Sequence, residues 1–451
     1  MTIVCKFGGS SLANSTQFQK VADIVREDPD RRYIIPSAPG KAQKSDQKVT
    51  DLLILLYNMA IHRLSANEVL QMIEARYREI IDGIGIRFPL EAELDRIRNT
   101  IADGRVEKAY VLSRGEYLNG KILAAYLGFD FVDAKDVIRF DDDGFWDADA
   151  TYRSLAAMAS EHENAVIPGF YGANDKGDIF TFSRGGSDLT GSIVAHGVGA
   201  DLYENWTDVS GLLAADPSIV NSPAKIHSIS YQELRELSYS GAKVMHDEAM
   251  FPVIEKNIPV VIKNTNAKDE DGSYILGSVP EEAGGADITG IACRKGFDVI
   301  NIEKYRMNRD LAFHRKVLSV IEANDLYLEH MPSSIDSVSL VISGRYLKNK
   351  TEQVLAELQT FTNADRISLD HNIALITVVG RNMKNRIGMS ALIFKALADA
   401  EVNIRVIVQG ASEMNIIIGV LEAEAEKSVR AIYDAAFSDA LSNGEDLEYT
   451  E

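Results

Sequence analysis

The stretch "IVCKFGGSSLANSTQF", residues 3–18, runs from an apolar segment through a glycine pair into the polar opening of a helix near Asn14. Strand, glycine turn and helix in succession are the basic step of an α/β fold, in which helices cover the faces of a sheet. Lys6 stands near the end of the apolar run, and Gly8, Gly9 and Ser10 follow it. A plain tight turn would explain the glycines. A phosphate cradle would use the same parts, because bare backbone N–H groups approach phosphate oxygens, a helix N-terminus adds partial positive charge and Lys6 adds a full one. The order is not G-x-x-x-x-G-K-[ST], so this is not a Walker A loop.

Working outward, "YIIPSA", "AVIPGF" and "PVVIKN" read as further buried strands. "FQKVADIVRE" and "YQELRELSYSGAKVMHDEAMFPVIEKN" read as helices. This alternation predicts an α/β domain over residues 1–280. Within it, residues 64–105 carry two helical patterns and read as an insertion, a lid or a packing bracket. The polar, Gly- and Pro-bearing "SVPEEAGGAD", residues 278–287, marks the boundary.

Beyond the boundary the chain repeats. "VLSVIEANDLYLEHMPSSIDSVSLVI" from Val317 and "IFKALADAEVNIRVIVQGASEMNIIIGV" from Ile393 are offset by 76 residues (393 − 317), matching Ile321 with Leu397, Leu328 with Ile404 and Leu340 with Ile416. Each copy switches from helical to alternating periodicity at the same place, so each reads as a ferredoxin-like βαββαβ unit. The first unit, 297–371, opens with "FDVINIE" and closes with "DRISLD". The second, 372–451, opens with "IALITVVG" and lacks a closing strand. "DITGIACRK", within the 281–296 segment, is unused and is expected to supply it, nesting the first unit inside the second.

Composition narrows the function. Of 451 residues, 46% are hydrophobic and 25% charged, as in globular proteins. No apolar run is long enough to span a bilayer, and no signal-peptide pattern opens the chain, so no membrane role is expected. With only Cys5 and Cys293, a disulfide framework is excluded and a cytoplasmic setting fits. A net charge of −20 without a basic stripe argues against nucleic acid as a partner. The eight histidines show no zinc-ligand spacing, so no structural metal is expected.

Further polar clusters punctuate the first domain. "TFSRGGSDLTGSIVAHGV", residues 181–198, is a second glycine pair opening a helix, flanked by Arg184 and Asp188. Ser187 and Asp188 stand where an N-cap belongs, which is the ordinary explanation. Two facing anionic ligands would explain both glycine turns. Glu116, in "SRGEYLNGK", reads as a carboxylate at a helix start, favourable for the helix dipole. "NWTDVSGLLAADP" ends a strand in a polar turn, and Lys243 of "SGAKVMHDEA" sits in a helix after glycine.

Together these motifs resemble an aspartate kinase, a member of the amino-acid kinase superfamily. "KFGGSS", "PSAPG" at 36–40, "VTDLL" at 49–53, "SRGE" at 113–116, "GFYG" at 169–172, "SRGGSD" at 183–188, "TDVSG" at 207–211 and "GAKVMH" at 241–246 fall in that family's order, and the tandem repeat resembles its paired ACT domains. The resemblance implies a three-layer amino-acid-kinase sheet sandwich followed by the ACT units. It implies ATP and Mg²⁺, the metal being held largely by the nucleotide's phosphates, with L-aspartate as acceptor.

The resemblance also implies roles for single residues. Lys6 would reach the transferring phosphoryl group, with Gly8, Gly9 and Ser10 lining the phosphate loop. Arg184 would hold the α-carboxylate of aspartate, which suits a planar fork, and Glu116 its α-amino group. Ser37, Thr50, Ser187 and Phe170 would complete the pocket. Thr207, Asp208 and Lys243 would contact the nucleotide, as would Leu213 and Ser218, where many relatives carry Tyr and Arg. The acceptor carboxylate is already ionised at neutral pH, so Asp188 is expected to orient Lys6 rather than to abstract a proton.

In the first ACT unit, Met307, Phe313, Glu329 and Ser334 match positions around lysine in lysine-inhibited relatives. The plainer alternative makes Met307 and Phe313 core and Glu329 a solvated strand charge. A regulatory lysine or threonine and a homo-oligomer, dimer or tetramer, assembled through the ACT units, are implied partners. A sister amino-acid kinase and an inactive amino-acid sensor are the competing readings. The pairing of Glu116 with Arg184, which suits a free α-amino acid, disfavours the first. The presence of Lys6, Arg184 and Asp188 disfavours the second.

Overall fold

The computed structural model describes residues 1–43, 45–102, 107–183, 185–242, 247–279, 287–410 and 413–443. Contacts divide the chain into two units. The first comprises Met1–Leu212, His227–Tyr231 and Met245–Val279; the second comprises Leu213–Ile226, Gln232–Val244 and Pro280–Glu451.

The first unit is built on an eight-stranded sheet. Its strand order is Ser228–Ser230, Ser273–Leu276, Val260–Asn264, Leu202–Thr207, Ile3–Phe7, Arg31–Pro36, Ala165–Val166, Asp130–Phe131. Neighbours pair in parallel except Val260–Asn264 with Ser273–Leu276. Parallel strands buried on both faces read as continuous apolar runs, as "TIVCKF" and "PVVIKN" do. Every residue of Ile3–Phe7 is buried. Alternation along this strand sends Ile3, Cys5 and Phe7 into one core cluster and leaves Lys6 on the other face.

The helix predicted near Asn14 spans Ser15–Glu27, and the Asn14 side chain accepts from the Gln17 N–H at 3.0 Å. The 64–105 segment forms helices Asn67–Ile84 and Leu90–Ala102. Ile73, Tyr77, Ile80, Leu94 and Ile97 from these helices enter the main core, and Tyr77 donates from its hydroxyl to the Gly115 carbonyl at 2.7 Å. The segment is a packing bracket behind the helix that carries Glu116.

Three local readings change. Glu116 lies in the middle of helix Lys108–Leu127, not at its start. The glycine before it marks close packing rather than a terminus, since a Cβ on Gly115 would stand 2.9 Å from Ala38 Cβ. Helix Gly186–Gly197 begins after Gly185, which adopts φ 60°, and no side chain caps it, so Ser187 and Asp188 are released from that duty. The long helical run from Tyr231 stops at Tyr239, because Gly241 takes φ 98°; among the described residues a 3-10 turn follows at Asp247–Met250 and a helix at Phe251–Glu255.

The second unit holds a six-stranded sheet ordered Leu328–His330, Ser337–Ser343, Gly290–Glu303, Arg366–Val379, Asn415–Leu421, Val406–Val408. Its two central strands serve both repeats. Gly290–Arg294 pairs with Leu375–Val379 in the second repeat, while Phe297–Glu303 pairs with Ser337–Ser343 in the first. The segment left over by counting does supply a strand to the second repeat. "DRISLD" and "IALITVV", read as separate strands, are one continuous strand, kinked where Asn372 takes φ 56°. Helices Phe313–Ala323 and Thr351–Thr362 cover the first repeat on a core that includes Ile300, Leu340 and Ile342. Met389–Asp399 and Ala425–Asn443 are their counterparts in the second.

Candidate active site

Lys6 is buried on the central strand, and its Nζ lies 2.7 Å from Asp188 Oδ1 and 3.3 Å from Asn205 Oδ1. Asn205 Nδ2 donates back to Asp188 Oδ1 at 3.0 Å, closing a triangle. The sequence supplies this geometry directly. Lys6 and Asn205 are register partners on adjacent parallel strands, so their side chains rise from the same face. The helix opening at Gly186 then presents Asp188 over them. Asn205 was not singled out from sequence, although a buried amide inside the apolar strand "LYENWT" was a readable signal.

Beside the triangle lies a cavity of about 210 Å³ lined by Ser37, Thr50, Glu116, Phe170, Ser187 and Asp188. All six were nominated from sequence, and the fold brings them together. Glu116 Oε1 accepts from the Ala38 N–H at 3.1 Å, while its Oε2 is buried without a partner among the described residues. Burial pushes this carboxyl up to about 7, against the lowering effect of the Ala38 hydrogen bond. A half-satisfied buried carboxylate is a receptor for an ammonium group, which would pair it and restore the charged form.

The pocket wall is held by close approaches. Phe170 takes φ 82°, an uncommon conformation for a bulky residue, and its N–H donates to Thr190 Oγ1 at 2.9 Å. A Cβ on Gly186 would strike the Phe170 ring at 2.6 Å, and one on Gly169 would meet Ser187 at 2.7 Å. At the glycine turn after Ile3–Phe7, the Gly40 N–H donates to the Gly9 carbonyl at 2.8 Å, and a Cβ on Gly40 would lie 2.6 Å from the Gly9 carbonyl carbon. The "PSAPG" loop therefore presses its last glycine onto "KFGGSS". Gly8, Gly9 and Ser10 remain partly accessible.

Of the nucleotide-side nominations, Thr207 ends the strand carrying Asn205 and donates to the exposed Asp208 at 3.1 Å. Leu213 and Ser218 belong to the second unit, both exposed, with the Ser218 hydroxyl donating to Asp216 at 2.6 Å. Arg184 and Lys243 lie outside the described residues.

The four effector nominations lie in different surroundings among the described residues. Met307 and Phe313 are buried in the core of the first repeat. Leu328 packs against that core, but the register shifts at Glu329, since Leu328 pairs with Ile342 and His330 with Val341, and this irregularity brings Glu329 and His330 to one cavity away from that core. There Glu329 is not a solvated charge. It accepts from both terminal nitrogens of Arg294, at 3.0 and 3.2 Å, and from the Tyr239 hydroxyl at 2.8 Å. Ser334 is exposed in a turn.

Comparison with known proteins gives a consistent picture. Residues 1–264 match the amino acid kinase family, and residues 376–436 match the ACT domain. The chain is 38% identical to aspartokinase 3 of Bacillus subtilis, over 97% of this chain and 99% of that one. It superposes on the crystal structure of Clostridium acetobutylicum aspartate kinase with a TM-score of 0.91 and 48% identity, covering 96% of this chain and all of that one. Escherichia coli aspartokinase III, solved with aspartate and ADP, shares the fold at a TM-score of 0.73 and 24% identity, over 97% of this chain and 100% of that one.

Proposed function

The chain belongs to the aspartokinases of the amino acid kinase family, and from that premise we propose that it transfers the terminal phosphoryl group of ATP to the side-chain carboxylate of L-aspartate. The products are 4-phospho-L-aspartate and ADP, the entry to lysine, threonine and methionine synthesis. The observation that carries the reading is the Lys6–Asp188–Asn205 triangle beside a pocket in which Glu116 keeps one buried, unpaired oxygen.

The chemistry follows from these groups. The attacking carboxylate is ionised at neutral pH, so no base is required. Glu116 takes the α-ammonium of aspartate, and Arg184 takes its α-carboxylate. Lys6 meets the charge that spreads over the transferring phosphoryl oxygens, where electrostatic stabilisation dominates the barrier. Asp188 and Asn205 fix the Lys6 ammonium in place. Backbone N–H groups of Gly9 and Ser10 receive phosphate oxygens, while the Gly8 N–H is held by the Trp206 carbonyl at 3.0 Å. Among the described residues no three carboxylate, histidine or cysteine side chains converge on one point. That donor set suits Mg²⁺ arriving on the nucleotide phosphates rather than held in a protein cage.

The C-terminal repeats are read as the regulatory part, answering to an end-product amino acid, lysine or threonine. Homo-oligomer formation through them is supported by apolar side chains left bare. Leu311 and Ile387, 76 residues apart at equivalent places in the two repeats, are fully exposed, as is most of Tyr305 and Ile335. No helix among the described residues is long and apolar enough to cross a membrane, and a cytoplasmic location is proposed.

The test is ADP release from Mg-ATP with aspartate or glutamate as acceptor. Aspartate-specific release is expected. Release that is equal with glutamate, or absent with both, would overturn the assignment.

A further inference from the structure

The second unit contains a cavity of about 250 Å³ to which the reading above gives no role. Its walls include Glu329 and His330 from one edge strand of the sheet and Val408 from the other. In a flat sheet these edges would stand five strand spacings, about 24 Å, apart. Their meeting at one cavity requires the sheet to fold back on itself. A cluster that joins Phe297, Val299 and Val341 of one half to Ile373, Val406 and Ile417 of the other fills the fold, and the cavity is where that packing stops.

The polar groups at the cavity are unevenly matched. Glu329 is fully engaged by Arg294 and Tyr239. Glu236 accepts only the Asn415 Nδ2 donor, at 2.6 Å, and has no cationic partner among the described residues. Thr377 is 2% exposed and Ser240 7% exposed, and neither hydroxyl has a partner among the described residues; the same holds for Asn415 Oδ1. Burial holds His330 below its ordinary value, so it adds no charge at neutral pH. One carboxylate without a cationic partner among the described residues thus sits with three unpaired oxygens around one cavity. Oxygens that face one space without protein donors can be satisfied together by a single multivalent donor.

We propose that this cavity binds the ammonium group of a small amine or amino acid, held by Glu236 with Asn415, Thr377 and Ser240. An –NH₃⁺ offers three donors and one positive charge, which is the complement of that wall. The proposal deepens the reading of the C-terminal repeats as the amino-acid-responsive part and rests on it for its regulatory meaning. It moves the recognition carboxylate from Glu329, which is already paired, to Glu236.

The test is calorimetric titration of the full chain with L-lysine, cadaverine and L-norleucine, each with L-aspartate saturating the first pocket. Saturable binding of at least one probe is expected, weakened tenfold or more in Glu236→Gln. Thr377→Val, nearly isosteric, is expected to weaken it severalfold and keeps the test open if the first variant does not fold. Cadaverine alone would identify a free amine as the ligand class, and norleucine alone an α-amino acid; both support the site. Absence of saturable binding by all three probes, or unchanged binding in the folded variants, overturns it. Aspartate-dependent ADP release by the same wild-type preparation reports separately on the kinase reading.

Discussion

Asp188 stands 2.7 Å from Lys6, with Asn205 bonded to both. The carboxylate is committed to the lysine, which fits an orienting role and leaves it poorly placed to take a proton from a substrate. Asp188→Asn is therefore expected to lower kcat by about 100-fold, the scale of losing one aligned electrostatic contact, with the aspartate KM little changed. Steady-state kinetics on both substrates would check this. An equal rise in the aspartate KM would move Asp188 into the binding pocket.

Glu116 gives a pH signature. Its carboxyl is raised to about 7 in the empty site by burial, so aspartate affinity should fall as pH drops below that value and the group protonates. In stability the sign is set by the same shift. The folded-state value exceeds the unfolded one, so Glu116's contribution is fully present below about pH 4.5 and is lost as pH rises through 7. Glu116→Gln should thus be more stable than the unliganded wild type at pH 8, by about 3 kcal/mol at most. The difference should vanish near pH 4. Thermal melts across that range, with aspartate titrations alongside, would show both effects; a pH-independent stability difference would contradict the buried charge.

Beneath the site, Glu204 is buried and receives Arg31 Nε at 2.8 Å and Nη2 at 3.1 Å, together with the Trp206 indole N–H at 2.9 Å. Arg31→Ala would strand that carboxylate. The expected cost is about 3–5 kcal/mol, as for breaking a buried pair from one side, and urea unfolding would measure it. A cost under about 1 kcal/mol, as at exposed pairs, would mean that water reaches Glu204.

Gly40→Ala tests the phosphate loop. Its Cβ would lie 2.6 to 2.8 Å from the backbone of Gly9 and Ser10. The loops must part to admit it, and the ATP KM should rise tenfold or more while the fold, read by circular dichroism, is retained. An unchanged ATP KM would separate this loop from nucleotide binding.

Much of this was legible in the sequence because single-face alternation and glycine punctuation are local. Lys6 at a strand end and Asp188 after a glycine turn could be named without knowing that they touch. Their contact depends on Ile3–Phe7 lying beside Leu202–Thr207, a pairing of strands some 200 residues apart that no window reveals. Glu116 was named from its motif; the ordinary explanation, a helix start, fails because its glycine serves packing against Ala38. The pairing of Glu329 with Arg294 and Tyr239 could not be read, because motif matching carries no information about which face of a short edge strand a residue occupies. Glu236 gave no signal at all: on a surface-like helix pattern, only the folding back of a distant sheet makes it part of a wall.

The shared central strands of the C-terminal sheet carry a last consequence. A break in the chain between residues 371 and 372, where the repeats meet in sequence, would fall inside a strand rather than in a linker. Either fragment would keep half a ladder and expose the other half as a raw, pairing-competent edge. The two repeats are thus not interchangeable modules that recombination could shuffle one at a time. They can be transplanted, duplicated or deleted only as a pair, and that indivisibility ties the fate of either one to the other.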